Sequence, residues 1–401
     1  MTALTTLLHH LGALPRKGEA PLAPPPFVDN PPEDREAKAA RRQGLFLARQ
    51  EDWDTLARLI TETDANRVAT PGGYSVAALM AEGASGDVTG LFDAMPGGAA
   101  VAEHGLAEME AALAQDSASY GTALVAASAR LAAARRWRTE ADLPGQPGLR
   151  AREAAMSQLR RAHALLAPHH PLEHDSPSLA AARCAILAGQ GEPASRIAEE
   201  HEDLIDLDPA SPLHMRAMGR RLLPRRGGSL DLLEHSARAT ARRTADIWGE
   251  GGYVWCHLDT LPREPRAFGR LDLDRFRQGL RDIVMRHQDQ HLVNLLAAWC
   301  AVTMAPPAAE PGNDASAARK RAALHEARHW LLGDHLREIH PLPWADAAPC
   351  AAQDVQDRKA LGRARAEATL GIAPPSGEKA PSPALTAGRR RLPPFRRRPA
   401  G

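Results

Sequence analysis

The spacing of apolar residues predicts α-helices along most of this chain. Between residues 229 and 248, Leu233, Ala237 and Ala241 recur at steps of four residues and share one face of a helix. Ser229 precedes them as an N-cap, because its hydroxyl can accept a hydrogen bond from a free N–H of the first turn. Glycines at positions 249, 251 and 252 predict that the helix ends there.

The same pattern predicts a succession of helices and no β-strand in the rest of the chain. These helices cover residues 33–50, 54–62, 99–114, 120–136, 150–166, 178–187, 196–207, 213–223, 273–287, 290–304, 315–332 and 354–370. Proline and glycine separate the segments. Many helices joined by short turns predict an all-α fold of stacked helical hairpins, either a regular α-solenoid or a less regular helical array.

Composition divides the chain into three parts. Residues 1–32 include a Pro-rich stretch that predicts a flexible linker, and residues 33–370 form the helical body. Residues 371–401 are rich in Pro, Ala, Gly and Arg, and they predict a disordered tail because they offer little to build a core. Aromatic residues make up only 4% of the chain, so we expect a core of Ala, Leu and Val.

Charge, cysteine spacing and hydropathy predict a cytoplasmic protein. The net charge of +1 gives the whole chain no polyanion-binding signature. The four cysteines form no C-x-x-C pair, which suits a reducing compartment. The N-terminal residues lack the basic and apolar regions of a signal peptide, and no stretch reaches about 18 apolar residues, so we expect no membrane partner.

One stretch has the order of elements of a helical repeat. Its two helices, intervening turn and closing pair are residues 178–187, Gly191-Glu192-Pro193, residues 197–207 and Asp208-Pro209. This order resembles one tetratricopeptide repeat and covers less than a tenth of the chain. The resemblance implies a tetratricopeptide-like α-solenoid and no enzymatic activity.

A second motif lies before the helix that begins at residue 230. The motif is Leu223-Pro224-Arg225-Arg226-Gly227-Gly228-Ser229. It is similar to the Pro-x-Trp-Gly-Gly-Ser signature of an uncharacterised family of bacterial helical-repeat domains, with Arg226 where that family has Trp. The family has no known activity, so this similarity also implies an architecture and no reaction.

One segment has the pattern of a catalytic motif, His325-Glu326-Ala327-Arg328-His329 followed by His335. On a helix, His325 and His329 lie four residues apart on one face and can bind one metal ion. The segment resembles the zincin metalloproteases. The resemblance implies zinc ligation by His325, His329 and His335, with Glu326 as the general base, and predicts a zinc-dependent metallohydrolase as an alternative function.

The same segment also has a structural interpretation. Arg328 lies between the two predicted ligands, where its positive charge opposes a dication. A packed helix face explains the histidines without zinc, because histidine is common at seams between helices. That face contains Ala318, Ala322, His325, His329, Leu332 and Leu336. We therefore prefer a protein with no catalytic residue and no cofactor.

A Gly-rich stretch around residue 250 holds three aromatic residues, Trp248, Tyr253 and Trp255. Two interpretations stay open. A turn that displays aromatic side chains lines a binding groove for a peptide or ligand. Alternatively, the same side chains fill the core where a helix breaks.

The leading prediction for function is a non-catalytic scaffold that presents a helical groove to an unidentified protein or peptide. It rests on fold-level analogy, because stacked helices form extended concave surfaces. The Arg-rich residues 388–401 predict a further alternative, in which the tail binds nucleic acid or an acidic partner through phosphate or carboxylate contacts.

Overall fold

The computed structural model describes residues 24–94, 98–116, 119–141, 148–306, 315–350 and 354–372. In these residues all regular structure is helical, and strand-like pairing is limited to two isolated bridges, Phe27 with Ile339 and Ala69 with Ser75. The predicted all-α fold is therefore confirmed. No helix in these ranges is both long and apolar enough to cross a membrane.

The helices of the first half pack around one apolar core. They are α1 (Pro32–Arg49), α2 (Trp53–Ala65), α3 (Val76–Ala84), α4 (Gly86–Ala94), α5 (Gly98–Asp116), α6 (Tyr120–Ala141), α7 (Gly148–Leu166) and α8 (Pro177–Gln190). Leucine and alanine dominate this core, as the composition predicts, and Leu56, Ile60 and Leu106 lie at its centre. Alanine-rich faces let the helix backbones approach closely.

The helices of the second half surround another core. They are α9 (Ala194–Leu207), α10 (Pro212–Arg221), α11 (Leu230–Arg243), α12 (Ala245–Trp248), α13 (Gly251–Leu258), α14 (Leu273–Arg286), α15 (Gln290–Ala298), α16 (Ala315–Glu326), α17 (Arg328–Trp330), α18 (Pro341–Asp346) and α19 (Val355–Leu370). Short 3₁₀ turns lie at Pro224–Arg226 and Pro265–Gly269, and π-helical turns at Trp299–Thr303 and Leu331–His335. Trp248, Trp255, Trp299 and Trp344 are buried here, so aromatic residues contribute more to this core than the composition suggested.

Short polar side chains begin several of these helices. The Ser229 hydroxyl accepts a hydrogen bond from the Leu232 N–H at 3.0 Å, which confirms the predicted N-cap of α11. The same role belongs to Asp52, Ser75, Ser176, Asp272, Asp289 and Asp354. These caps satisfy backbone donors that the first turn leaves free.

The helix predicted over residues 230–248 does end at Trp248, where Gly249 is the C-cap, but the structure divides it in two. The predicted helix breaks at Thr244, and residues Gly251–Leu258 form α13 instead of a turn. Only Gly249 has a conformation suited to a reversal, with φ +58°. Gly252 serves close packing, because a Cβ there would lie 2.5 Å from Thr244 Oγ1. Glycine in this stretch therefore permits tight contact between helices.

Helices α1 and α3 cross at two glycines. A Cβ added at Gly44 would lie 2.0 Å from the Met80 carbonyl oxygen, and one at Gly83 would lie 2.0 Å from the Arg41 carbonyl oxygen. Each glycine therefore faces the backbone of the opposite helix. This close crossing fixes α1 against α3 and sets the position of the outer face of α1.

Residues 24–31, which belong to the predicted linker, lie within the described part of the chain. The chain there is extended, as its prolines suggest, but it is held against the C-terminal helices. The Val28 N–H donates to the Ile339 carbonyl at 2.9 Å, and the Ile339 N–H donates to the Pro26 carbonyl at 2.8 Å. The Arg363 guanidinium lies 4.2 Å from the centre of the Phe27 ring.

This contact joins the two ends of the described chain. Lys359 forms an ion pair with Asp34 at 2.9 Å, which ties α19 to the start of α1. In an open solenoid each repeat contacts only its neighbours along the chain. The contact between α1 and α19 therefore departs from simple sequential stacking, and it encloses the space between the two halves.

His201 on α9 makes stability depend on pH. Its ring is almost fully buried, Nδ1 lies 2.8 Å from the Ile197 carbonyl oxygen, and burial lowers the pKa of the ring from 6.5 to about 4. Below pH 6.5 the unfolded chain therefore binds a proton at His201 that the folded chain does not bind. The free energy of unfolding falls as the pH drops from 6.5 towards 4. We expect a loss of about 2 kcal/mol between pH 7 and pH 5 from this group.

Denaturant unfolding of the His201→Leu variant at several pH values checks this expectation. Between pH 7 and pH 5 the free energy of unfolding of the variant should fall by about 2 kcal/mol less than that of the natural protein. A matched control is His235→Leu, which replaces an exposed histidine on α11. Equal pH dependence in the His201 variant and the natural protein would refute the assignment.

Candidate functional site

The His-Glu-x-x-His segment does not lie on one continuous helix. Helix α16 ends at Glu326, and after the short α17 the chain forms the π-helical turn Leu331–His335. His325 is half-buried, and its Nδ1 donates to the Cys300 carbonyl oxygen at 2.9 Å. His329 instead points to solvent, with 64% of its side chain exposed, and it lies 3.2 Å from Glu326.

This geometry does not bring the predicted zinc ligands together. Glu326 is engaged by Arg328 at 3.2 Å as well as by His329, and the His335 ring packs edge-on against Trp330. Among the described residues, no group of three His, Cys, Asp or Glu side chains is placed to hold a metal ion. The catalytic role of Glu326 therefore has no geometric support in this part of the chain.

The predicted packing face of this segment is also only partly right. His325 and Leu336 are at least half-buried, but Ala318, Ala322 and His329 are exposed. The buried face is formed by Leu324, Ala327 and Leu331. These residues recur at three- and four-residue steps, and two leucines bury more apolar surface than the predicted alanines.

Trp248, Tyr253 and Trp255 do not line a groove. All three are buried in the second core, and Trp248 packs edge-on against Trp255 with ring centres 5.6 Å apart. The groove interpretation is therefore wrong, and the core interpretation is confirmed. The physical reason is that α13, which carries Tyr253 and Trp255, packs against α10, α11 and α14, while α12, which carries Trp248, packs against α14.

A buried polar network surrounds Tyr253. Its hydroxyl donates to Glu234 at 2.7 Å and accepts from the Asp272 N–H at 2.9 Å, while His257 Nε2 lies 3.3 Å from Glu234. Burial raises the pKa of the Glu234 carboxyl, but hydrogen bonds from His257 and Tyr253 outweigh burial and lower the pKa to about 2. The network joins α11, α13 and the start of α14, so we assign it a structural role.

A large cleft of about 1600 Å³ lies between the two halves of the described chain. Helices α1 and α3 form one wall, and α13, α15, α18 and α19 form the other. We call this space the central cleft. Its apolar lining includes Leu45, Leu295, Trp299, Leu342 and Pro343.

The charged groups of the central cleft leave two cations without a partner. The acidic groups are mostly committed: Asp34 pairs with Lys359, Glu82 with Arg41, and Asp346 with Arg358. Lys38 and Arg42 are exposed one turn apart on α1, and neither forms a hydrogen bond or ion pair with any described residue. The α1 wall is therefore positive and open to an acidic group.

One end of the central cleft is polar. Glu33 and His291 flank Gly72, where an added Cβ would lie 2.9 Å from Glu33 and 3.0 Å from His291. Glu33 accepts a hydrogen bond from the Gly72 N–H, and burial raises the pKa of its carboxyl. Burial also lowers the pKa of His291 to about 4, with a further contribution from His340. Both groups are therefore biased towards their neutral forms.

No sequence pattern predicts the central cleft. Helices α3 and α18, which form part of its walls, were not predicted, because α3 follows a turn rich in Pro and Gly and α18 has only six residues. The pattern on α1 does place Lys38 and Arg42 opposite the buried Ala40 and Leu47. The pattern could not show that this polar face lies opposite α19 in the central cleft. The Arg-rich tail, residues 388–401, lies outside the described residues.

No protein-family model, curated protein or solved structure matches this chain.

Proposed function

We propose that this protein is a non-catalytic helical scaffold that binds an acidic, partly apolar protein segment in the central cleft. The cleft itself is the observation that carries the proposal. At about 1600 Å³ it exceeds the range of roughly 300–1,000 Å³ typical of small-molecule pockets. Lys38 and Arg42 supply unpaired positive charge on one wall, and apolar side chains lie beside them.

The local architecture supports a scaffold of tetratricopeptide-like hairpins. Helices α8 and α9 form a hairpin, and Gly191 at its turn has a left-handed conformation with φ +81°. Helical hairpins of this kind present concave surfaces to peptides in repeat proteins. Cys184, Cys256 and Cys300 are buried free thiols, which supports a cytoplasmic location.

Reversing the two free charges tests the proposal. The probe is a fluorescein-labelled peptide of alternating Glu and Leu, and the measurement is fluorescence anisotropy at low salt. We expect the Lys38→Glu/Arg42→Glu variant to bind this peptide at least about tenfold more weakly, because both substitutions place repulsive charge on the α1 wall. Raising the salt concentration should weaken binding to the natural protein and change the variant much less.

The matched control is Arg152→Glu/Arg160→Glu on α7, which reverses two exposed arginines that do not line the cleft. It changes the net charge by the same amount and should bind as the natural protein does. If both double variants weaken binding equally, the attraction comes from net charge and the cleft is not the site. A natural protein that does not bind the peptide at low salt also contradicts the proposal.

A further inference from the structure

Six arginines from separate elements lie close enough for their charges to act on one another, and two of them, Arg220 and Arg263, share Asp259. Arg138 lies near the end of α6, Arg220 and Arg221 lie in the last turn of α10, and Arg263 follows α13. Arg225 and Arg226 belong to the 3₁₀ turn of the Leu223–Ser229 motif. We call these six residues the arginine cluster.

The acidic groups near the arginine cluster are too few for its charge. Asp259 is shared by Arg216, Arg220 and Arg263. Arg138 donates to the Gly189 carbonyl oxygen.

The other three arginines of the cluster have no such partner. Within the described residues, the guanidinium groups of Arg221, Arg225 and Arg226 form no hydrogen bond and no ion pair. Arg221 is partly buried, and Arg225 and Arg226 are exposed. Like charges held close together repel one another, so a cluster of arginines that no carboxylate compensates favours the binding of an anion.

The electrostatics of the cluster agree with this geometry. Burial, together with the charges of Arg226, Arg220 and Arg138, lowers the pKa of Arg221 to about 10. Burial and four neighbouring arginines also lower the pKa of Arg226. The strongest charged influences on Arg226 are all positive, so an anion placed among these groups relieves repulsion.

The turn that carries Arg225 and Arg226 is fixed by its own backbone. The Arg226 N–H donates to the Leu223 carbonyl at 2.8 Å, and the Gly228 N–H donates to the same oxygen at 3.2 Å. Gly227 has φ +86°, and a Cβ at Gly228 would lie 2.0 Å from the Leu222 carbonyl oxygen. Both glycines are therefore required, and the two arginines are presented by a preorganised turn.

We propose that the arginine cluster binds a compact anion that carries two or more phosphoryl groups. Guanidinium groups form paired hydrogen bonds with phosphate oxygens, and one carboxylate would satisfy only one of the three free arginines. The arginine cluster is centred on the turn Pro224–Arg226, and it does not form a stripe of charge along a groove. The exposed large aromatic residues of the described chain, Phe46 and Tyr74, belong to elements that carry none of the six arginines, whereas single-stranded nucleic acids need aromatic stacking platforms.

Calorimetric titration of the full-length protein with sodium tripolyphosphate, in magnesium-free buffer at low salt, tests this inference. We expect tripolyphosphate to bind at least about tenfold more tightly than inorganic phosphate, because it engages several guanidinium groups at once. The Arg221→Gln/Arg225→Gln/Arg226→Gln variant should lose at least about tenfold in affinity.

A thermal readout shows whether that variant is folded. Its Tm without ligand should equal or exceed that of the natural protein, because removing unpaired like charges relieves repulsion. Tripolyphosphate should raise the Tm of the natural protein and leave that of the variant unchanged. The control Arg152→Gln/Arg160→Gln/Arg242→Gln removes three exposed arginines elsewhere and should keep both responses.

The inference does not depend on the central cleft, so Lys38→Glu/Arg42→Glu should bind tripolyphosphate normally. Three results would overturn it: no binding at low salt, equal binding by the triple variant, or equal affinity for tripolyphosphate and single phosphate. Binding of a short single-stranded RNA that the triple variant loses, without binding of tripolyphosphate, would assign the cluster to nucleic acid instead.

Discussion

Replacing Gly44 with alanine is expected to lower the free energy of unfolding by about 3 kcal/mol. The new methyl group would lie 2.0 Å from the Met80 carbonyl oxygen, which belongs to the backbone of α3 and cannot rotate away. Helices α1 and α3 must therefore separate. Alanine favours a helix over glycine by about 1 kcal/mol, but this gain is smaller than the cost of overpacking.

Gly90→Ala on α4 is the matched control, because a Cβ there would meet no atom within 4 Å. It should raise stability by about 0.5–1 kcal/mol, so the two glycine substitutions have opposite signs. Chemical denaturation measures both. Because α1 carries Lys38 and Arg42, the Gly44 variant should also bind the acidic peptide more weakly. A Gly44 variant as stable as the natural protein would show that the α1–α3 crossing is looser than described.

Replacing Asn294 with leucine is expected to lower the free energy of unfolding by about 4 kcal/mol. Asn294 is fully buried, and its amide makes four hydrogen bonds. Nδ2 donates to the Gln290 and Glu338 carbonyls, while Oδ1 accepts from the His340 N–H and the Trp344 indole. Leucine has a similar volume but leaves these buried groups without partners. Each buried donor that loses its partner, the His340 N–H and the Trp344 indole, costs about 1–3 kcal/mol.

The loss of stability in Asn294→Leu should begin in the segment around His340, which Asn294 holds in place. Hydrogen exchange of the His340 amide should speed up, and so should exchange of the Val28 amide, because Val28 pairs with the neighbouring Ile339. The control is Asn66→Leu, where an exposed side chain makes one hydrogen bond to Glu62. That change should stay within about 0.5 kcal/mol. Equal destabilisation by the two substitutions would contradict the role assigned to Asn294.

The central cleft depends on contacts between distant parts of the chain. Asp34 and Lys359 are far apart in sequence, yet their ion pair is only 15% exposed or less and closes one side of the cleft. Glu33 and His291 meet around Gly72 in the same way. The loss expected from Asn294→Leu therefore bears on function as well, because Asn294 supports the segment to which residues 26–28 bind.

The fold class followed from local pattern. Helices such as α9 and α14 have strongly amphipathic sequences, and their predicted ends agree with the structure to within two residues. Helix α3 was not predicted because it lacks that pattern. It is buried on almost every side, so its sequence has no polar face. The glycines at positions 249, 251 and 252 resemble turn residues, although Gly251 and Gly252 lie in α13 and serve close packing.

The sequence alone determined the all-α class, most helix positions and the Ser229 cap, because these depend on residues within a few positions of one another. It also placed Arg225 and Arg226 in a Gly-rich motif. Only the tertiary structure decided which of these features belong to a site. It put His329 in solvent and Trp255 in the core, and it gathered Arg138, Arg221 and Arg226 from separate helix ends. Such groupings arise from contacts distant in the chain, and no local pattern encodes them.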